Sequence, residues 1–223
     1  MKMKWKPVLS SLCLLASAST ILGQGIIHVN PQPQPYYTMP TLNGPYMSFD
    51  INGDGVSDFI LNSTVYPEIF NMSSWLIPLN GNQIVTDNAN GWVANLTIGD
   101  IAGADMASQY GWSGSQSVMT SIVFTVVDPS VPAYELTDSS NFTGQYGYIG
   151  FDLVEGGNNY YGWMQVYSAS ELAFGGVITE WAYSTVPNLP IMVGQVPEPA
   201  TLGLLGLGGL ALILVRRKTP SSR

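Results

Sequence analysis

The chain has no lysine or arginine between Pro7 and Val215, although it is 223 residues long. Its seven basic residues lie at the two ends, and all fifteen acidic residues lie between Asp50 and Glu198. Nucleic-acid-binding proteins neutralise phosphates with Lys and Arg, and a phosphate-binding loop needs its lysine. The sequence therefore excludes a nucleic-acid partner, a phosphate-binding loop and a Schiff-base lysine. It predicts an acidic body between two cationic ends.

The composition of that body predicts a folded protein. Apolar residues make up 46% of the chain and aromatic residues 11%, which is enough apolar surface to bury on folding. The only cysteine, Cys13, lies close to the N-terminus. The body therefore has no disulfide and depends on a core of its own.

The N-terminal residues have the order of a secretory signal peptide. Three lysines are followed by a short apolar run over 8–16 and then by small residues. We predict a signal peptide over 1–23, and cleavage after Ala18 or after Gly23 fits the small-residue rule. An uncleaved membrane anchor is the alternative, for which the apolar run is short.

The C-terminal residues form a second targeting segment. It consists of the polar motif Val196-Pro197-Glu198-Pro199, a sixteen-residue apolar run over 200–215, and the basic residues Arg216, Arg217 and Lys218. As a helix the run rises about 24 Å, which spans a bilayer when the flanking residues snorkel. We predict a single transmembrane helix over 200–215 with the basic tail in the cytoplasm. A buried core helix is the alternative.

This three-part segment resembles the PEP-CTERM sorting signal of Gram-negative bacteria, which here would occupy 195–223. The resemblance implies export across the inner membrane, transient anchoring there, and cleavage near the Pro-Glu-Pro motif by an exosortase, a membrane-embedded processing enzyme. It also implies a cell-surface or extracellular protein associated with exopolysaccharide or biofilm. A plain anchored ectodomain that is never cleaved is the alternative.

The rest of the chain predicts an all-β fold. A proline-spaced stretch over 24–44 predicts an extended arm, and the body over 45–194 predicts an antiparallel β-sandwich of jelly-roll type. Within the body, runs of β-branched and aromatic residues alternate with Gly, Asn, Asp and Pro. They predict strands at 46–49, 58–66, 75–79, 83–86, 91–96, 121–127, 146–154, 160–167, 176–184 and 191–193. Gly156 and Gly157 predict the clearest hairpin turn.

One motif in the body has the spacing of a calcium loop. Oxygen-bearing side chains recur at positions 1, 3, 5 and 9, with glycine at position 6, and Ca²⁺ takes about six to eight oxygen ligands. The predicted ligands are the side chains of Asp50, Asn52, Asp54 and Asp58 and the carbonyl of Val56. The position-12 glutamate of an EF-hand is absent, so a distant carboxylate or water would replace it. A β-turn without an ion is the alternative.

Three aromatic residues are candidates for a sugar-stacking platform. Trp163, Trp181 and Tyr183 lie on predicted strands, and flat rings complement the CH faces of sugars. The alternative is that they form cross-strand pairs in the core.

Catalytic groups are few. His28 is the only histidine, so a Ser-His-Asp arrangement and a zinc site are both disfavoured. We therefore predict a non-enzymatic surface or matrix protein. The alternative is a secreted polysaccharide hydrolase with a carboxylate pair drawn from Glu135, Asp152, Glu155, Glu171 and Glu180.

Overall fold

The computed structural model describes residues 25–31, 36–38, 47–66, 71–128, 131–138, 141–142, 144–168 and 175–197. The predicted signal peptide and the predicted transmembrane helix lie outside these ranges. The chain divides into two units, one over 27–195 and one that combines 1–26 with 196–223. Of the second unit only 25–26 and 196–197 are described.

The described residues form β-strands and turns, as the all-β prediction required, and no helix among them is long and apolar enough to cross a membrane. The strands are β1 (Ile26–Val29), β2 (Tyr36–Thr38), β3 (Met47–Phe49), β4 (Phe59–Tyr66), β5 (Asn71–Pro78), β6 (Gln83–Asp87), β7 (Ile101–Ala102), β8 (Tyr110–Ser113), β9 (Ser117–Asp128), β10 (Val131–Asp138), β11 (Tyr146–Glu155), β12 (Asn158–Ser168), β13 (Gly175–Ser184) and β14 (Ile191–Met192).

These strands form two main sheets and a small ribbon. The larger sheet has the order β1-β13-β12-β11-β6-β8, with β2 also paired to β13. The smaller sheet has the order β10-β9-β5-β4-β3, and β14 pairs with β7 in the ribbon. In the described strands, chain neighbours mostly share a sheet, as in β3-β4-β5 and β11-β12-β13. The sandwich is therefore built of meanders and differs from the predicted jelly-roll order, in which the chain would change sheets more often.

The β11–β12 hairpin forms where the sequence predicted it. Glu155 and Asn158 pair across a two-residue turn, and Gly156 and Gly157 have φ angles of 58° and 80°. Only glycine adopts such angles without steric cost, so this turn fixes the register of the whole hairpin.

The main core lies between the two sheets. Alternate residues of β11, namely Ile149, Phe151 and Leu153, point into it and are fully buried. Phe151 meets Phe59 of the smaller sheet edge to face, with ring centroids 5.7 Å apart. Opposite Phe151 on β12 is Gly162, where an added Cβ would lie only 2.2 Å from the Phe151 ring.

A second layer covers the other face of the larger sheet. It is formed by residues 95–103 and 186–195, and we call it the outer layer. Leu96 donates a backbone hydrogen bond to Tyr148 of β11, and Asn188 donates one to Asn159 of β12. The indole N–H of Trp163 donates to the carbonyl of Gln195 at 3.1 Å. Because of this layer, the central strands of the larger sheet are buried on both faces.

Several predicted elements differ from the structure. Residues 91–96 form only isolated bridges to Thr86 and Tyr148, and Val93 belongs to the core and donates a backbone hydrogen bond to Val118 of β9. The described parts of the predicted arm, β1 and β2, join β13 at the edge of the larger sheet. His28 accordingly lies on a strand, where its Nε2 is 2.9 Å from Glu180 Oε2.

Candidate functional site

The loop between β3 and β4, residues 50–58, gathers three of the five predicted calcium ligands. Gly53 and Gly55 have φ angles of 79° and 87°, so the chain reverses tightly there. The carboxylate of Asp50 accepts a backbone hydrogen bond from each of these glycines, at 2.7 Å on separate oxygens. It therefore organises the turn from inside.

The next two polar residues repeat this local pattern. Asn52 Oδ1 accepts the backbone N–H of Asp54 at 3.0 Å, and Asp54 Oδ1 accepts that of Val56 at 2.7 Å. Each side chain thus caps the peptide two residues further on. The oxygens of Asp50, Asn52 and Asp54 are held within a single turn, and the exposed Val56 follows it.

Asp58 has a different position from the other predicted ligands. Its side chain is only 6% exposed and lies beneath the loop. Oδ2 accepts the backbone N–H of Ile51 at 2.7 Å, and Oδ1 accepts Nδ2 of Asn82 at 2.9 Å. Burial raises the pKa of Asp58 and the charges of Asp50 and Asp54 raise it further, while its two hydrogen bonds lower it. Asp58 braces the loop against the turn that precedes β6.

Glu155 is a neighbour of this loop that the sequence did not indicate as one. It ends β11, and its Oε1 accepts a hydrogen bond from Nδ2 of Asn52. The same Nδ2 contacts Asp54 Oδ2 at 3.2 Å. Two carboxylates therefore converge on one amide. Because this proximity depends on how two sheets pack, no local pattern in the sequence would have revealed it.

The loop and Glu155 border an open cleft of about 460 Å³, which Tyr160 and Tyr183 also line. Burial raises the pKa of the Tyr183 hydroxyl, and the negative charges of Glu155, Asp58 and Asp50 raise it further. The cleft is therefore strongly negative, and the chain has no Lys or Arg between residues 7 and 215 to offset it.

The donor atoms of this site suit a hard cation. Asp50, Asn52, Asp54 and Glu155 offer carboxylate and amide oxygens, which Ca²⁺ prefers, whereas zinc prefers His and Cys. Among the described residues, no three His, Cys, Asp or Glu side chains converge as metal ligands. An amide oxygen, backbone carbonyls or water would have to complete the coordination.

The predicted sugar platform is wrong, because its three rings are buried. Trp163, Trp181 and Tyr183 are 1%, 7% and 9% exposed. Trp181 and Tyr183 belong to the core between the sheets, where the indole N–H of Trp181 donates to the carbonyl of Ile51 at 3.1 Å. Trp163 lies on the opposite face, under the outer layer. The three rings cannot share one sugar-binding surface.

Of the described acids that were candidates for a hydrolytic pair, Asp152 and Glu155 point to opposite faces of β11, and Asp152 and Glu180 lie far apart. Glu155 contacts the loop, and Glu180 pairs with His28. Asp152 lies opposite Tyr161 on β12, whereas Glu180 lies opposite Gln165. Four residues along a strand and two strand spacings place Asp152 and Glu180 about 16 Å apart, beyond the roughly 5–10 Å of glycosidase pairs. The Glu171 position and the Glu135 side chain lie outside what is described.

The decisive comparison concerns the C-terminal segment. The family model of the PEP-CTERM protein-sorting motif matches residues 195–218. The chain therefore carries a PEP-CTERM sorting motif. The match includes Val196, Pro197, Glu198 and Pro199 and the basic residues Arg216, Arg217 and Lys218, which confirms the resemblance inferred from the sequence. No curated protein and no solved structure matches the chain.

The PEP-CTERM motif indicates a protein that is exported and transiently anchored in the membrane before an exosortase cleaves it. That places the sorted product at the cell surface or outside the cell. Of the four-residue motif only Val196 and Pro197 are described; the apolar run and the basic residues that follow it lie outside the described residues.

Proposed function

We propose that this PEP-CTERM protein is a non-enzymatic, calcium-stabilised component of the cell surface or extracellular matrix that associates with exopolysaccharide. The sorting motif over 195–218 carries the proposal, because it assigns the body to the exterior. The composition agrees with it: fourteen of the fifteen acidic residues and none of the seven basic ones lie between residues 24 and 196. Such a body would be highly soluble and would not bind nucleic acid.

Processing is tested by mass spectrometry of the C-terminus after expression in a host that has an exosortase. We expect a product that ends near Pro197–Pro199 and has lost Arg216 and the residues after it. Glu198→Ala should leave the tail uncleaved, whereas Arg223→Ala, outside the matched residues, should be processed normally. An intact C-terminus on the wild-type protein recovered from the cell surface would refute processing and favour a permanent anchor.

The loop over 50–58 supports the calcium part of the proposal. Asp54 and Glu155 converge on the amide of Asn52, and no basic residue is available to neutralise them. Asp54 and Glu155 would bind the ion, and Asp50, Asn52 and the carbonyl of Val56 would have to move toward it, because no three acidic side chains converge in the described residues. The ion would supply positive charge where the chain has none. Asp58 would act beneath the loop, as a brace.

The calcium role is tested by melting the full chain with calcium and with a chelator. Extracellular calcium modules bind at about 10⁻⁴–10⁻³ M, so 5 mM calcium would stabilise the folded state by about 1–2 kcal/mol. For a chain of this size that raises Tm by roughly 2–8 °C. Asp54→Ala and Glu155→Gln should reduce the shift.

The matched control is Asp100→Ala, which removes a turn aspartate that accepts the backbone N–H of Thr97 outside the loop. This variant should keep the full calcium shift. Superimposable wild-type melting curves in calcium and in chelator would eliminate the calcium role while leaving export and processing intact.

A further inference from the structure

A second cleft, which we call the polar cleft, lies at the other end of β11 from the calcium loop. Gln145 precedes β11 and borders the polar cleft, whereas Glu155 ends the strand beside the loop. The ten-residue strand separates the two by about 30 Å. The polar cleft has a volume of about 410 Å³, within the roughly 300–1,000 Å³ range of small-ligand sites.

The walls of the polar cleft are held by hydrogen bonds among asparagines. Asn95 Nδ2 donates to the backbone carbonyl of Asn141 at 2.6 Å, and Asn95 Oδ1 accepts the backbone N–H of Tyr148 at 3.2 Å. Asn141 Nδ2 donates to the carbonyl of Val93 at 3.0 Å. These bonds tie the segment before β11 to the outer layer, so the amide groups are fixed in place before any ligand arrives.

Asp87 and Tyr110 form the remaining chemical features of the polar cleft. They face each other across the β6–β8 pair, so the strand register fixes their spacing. Asp87 Oδ1 accepts the backbone N–H of Asn90 at 2.6 Å, while Oδ2 lies 3.5 Å from Asn141 Nδ2. Tyr110 is half-buried and contributes an aromatic ring to the lining.

The charge of the polar cleft limits the class of ligand. Among its described lining residues Asp87 is the only charged one, and the body supplies no Lys or Arg. A uronate, sulfate or phosphate group would meet a carboxylate without a cation, which is unfavourable. A neutral polyol instead offers hydroxyls to Asp87 and to the amides of Asn141 and Gln145, and a CH face to the ring of Tyr110.

We propose that the polar cleft binds a sugar unit of a neutral polysaccharide, with Asp87 and Tyr110 as the principal contacts. The inference rests on the proposed association with exopolysaccharide and names the class of saccharide and the site. It replaces the buried platform of Trp163, Trp181 and Tyr183. It does not involve the calcium loop, which lies at the opposite end of the strand.

The test is isothermal titration calorimetry on the full chain in a detergent without a sugar headgroup. The probes are maltohexaose, cellohexaose and mannohexaose as neutral ligands and hexagalacturonate as the acidic one. We expect at least one neutral hexasaccharide to bind and hexagalacturonate not to bind. Asp87→Asn and Tyr110→Leu should each lower the affinity about ten-fold or more, since each removes a main contact.

Asp100→Asn is the matched control, because Asp100 also caps a turn but lies outside the polar cleft. It should bind like the wild type, and all variants should melt at the wild-type temperature. Binding that survives both cleft variants, or binding of hexagalacturonate alone, would overturn the assignment of the polar cleft but not the proposed function. No binding to any probe would overturn the assignment, whereas calcium-dependent melting and C-terminal processing would still test the proposed function separately.

Discussion

Replacing Asp152 with asparagine should reduce the pH dependence of the protein's stability between about pH 4.5 and 7.5. Asp152 lies on β11 facing the outer layer and is 1% exposed. Its Oδ2 accepts a hydrogen bond from Nδ2 of Asn159 at 2.6 Å, whereas Oδ1 is buried with no hydrogen-bond partner. Burial raises the pKa of this carboxyl from 3.8 to about 6, although hydrogen bonds from Asn159 and from the backbone of Tyr160 oppose the shift.

The direction follows from the raised pKa. The folded protein holds the Asp152 proton more tightly than the unfolded chain does, so the stabilisation from this group is complete below pH 3.8 and is lost as the pH rises through about 6. Applying linkage to these two pKa values gives a loss of about 1 kcal/mol by pH 4.5 and about 3 kcal/mol by pH 7.5. The variant lacks this loss of about 2 kcal/mol between the two conditions.

The absolute stability of Asp152→Asn is a poorer test than its pH dependence. Its amide oxygen can still accept from Asn159, but its NH₂ group would occupy the place of an oxygen with no partner. A buried donor without a partner costs about 1–3 kcal/mol, which partly cancels the gain at neutral pH. That cost does not vary with pH, so the difference between the two conditions isolates the charge.

The assay is urea unfolding of the full chain at about pH 4.5 and 7.5, followed by tryptophan fluorescence. The difference between variant and wild type in the free energy of unfolding should move in favour of the variant by about 2 kcal/mol from the lower to the higher pH. Asn159→Ala is the control: it keeps the charge and removes a hydrogen bond that lowers the pKa, so it should steepen the pH dependence. An equal pH dependence in Asp152→Asn and wild type would refute the reasoning.

Two further substitutions probe the packing and the loop. Gly162→Ala should destabilise the protein by about 2–3 kcal/mol in urea unfolding, because its Cβ would lie 2.2 Å from the buried ring of Phe151. Asp58→Ala should cost about 2–4 kcal/mol in the same assay, because the buried backbone N–H of Ile51 loses its acceptor and Asn82 Nδ2 keeps only its 3.3 Å bond to the carbonyl of residue 58.

Gly162→Ala and Asp58→Ala each have a control variant. Gly114→Ala adds a Cβ that meets only a carbonyl of Asn82 at 3.7 Å, so it should change the stability by less than about 1 kcal/mol. Asp58→Asn keeps an acceptor oxygen and should be milder than Asp58→Ala. If Gly162→Ala proved as harmless as Gly114→Ala, Phe151 would not be held against β12 as the structure places it.

The parts of the fold that sequence reasoning reached are those with local signals. The hairpin at Gly156-Gly157 was predictable because two adjacent glycines between two apolar runs are typical of a two-residue hairpin turn. Strands β4, β6, β11, β12 and β13 were predictable from their composition. The segment at 91–96 has the same composition but forms only isolated bridges to Thr86 and Tyr148, because tertiary contacts override strand propensity.

Each candidate site likewise has residues that the local sequence predicts or residues that only the fold brings together. The loop over 50–58 could be read from its spacing, since Asp50, Asn52 and Asp54 act on their own backbone. Glu155 joins them only through the packing of two sheets, and Asp87 meets Tyr110 only through the β6–β8 register. The sequence also did not show where the tryptophan rings are buried. Trp163 and Trp181 lie on neighbouring strands but point to opposite faces of the sheet, because side chains alternate along a strand.

The lack of basic residues also explains how the acidic side chains are accommodated. In a typical fold Lys or Arg would pair with buried carboxylates. Here asparagine amides take that place: Asn82 donates to Asp58, and Asn159 donates to Asp152. In the described part of the chain, the histidine His28 also contacts a carboxylate, with Nε2 2.9 Å from Glu180 Oε2.

An amide satisfies the hydrogen-bonding needs of a carboxylate but brings no positive charge. Burial therefore still raises the pKa of both Asp58 and Asp152, despite their asparagine partners. At the exposed loop an asparagine, Asn52, again stands where a basic residue would be expected. The negative charges of Asp54 and Glu155, which both contact its amide, are therefore not compensated. A body without Lys or Arg needs a cation from the medium to compensate such a cluster. The proposed divalent cation would come from outside the cell, where the sorting motif directs this protein.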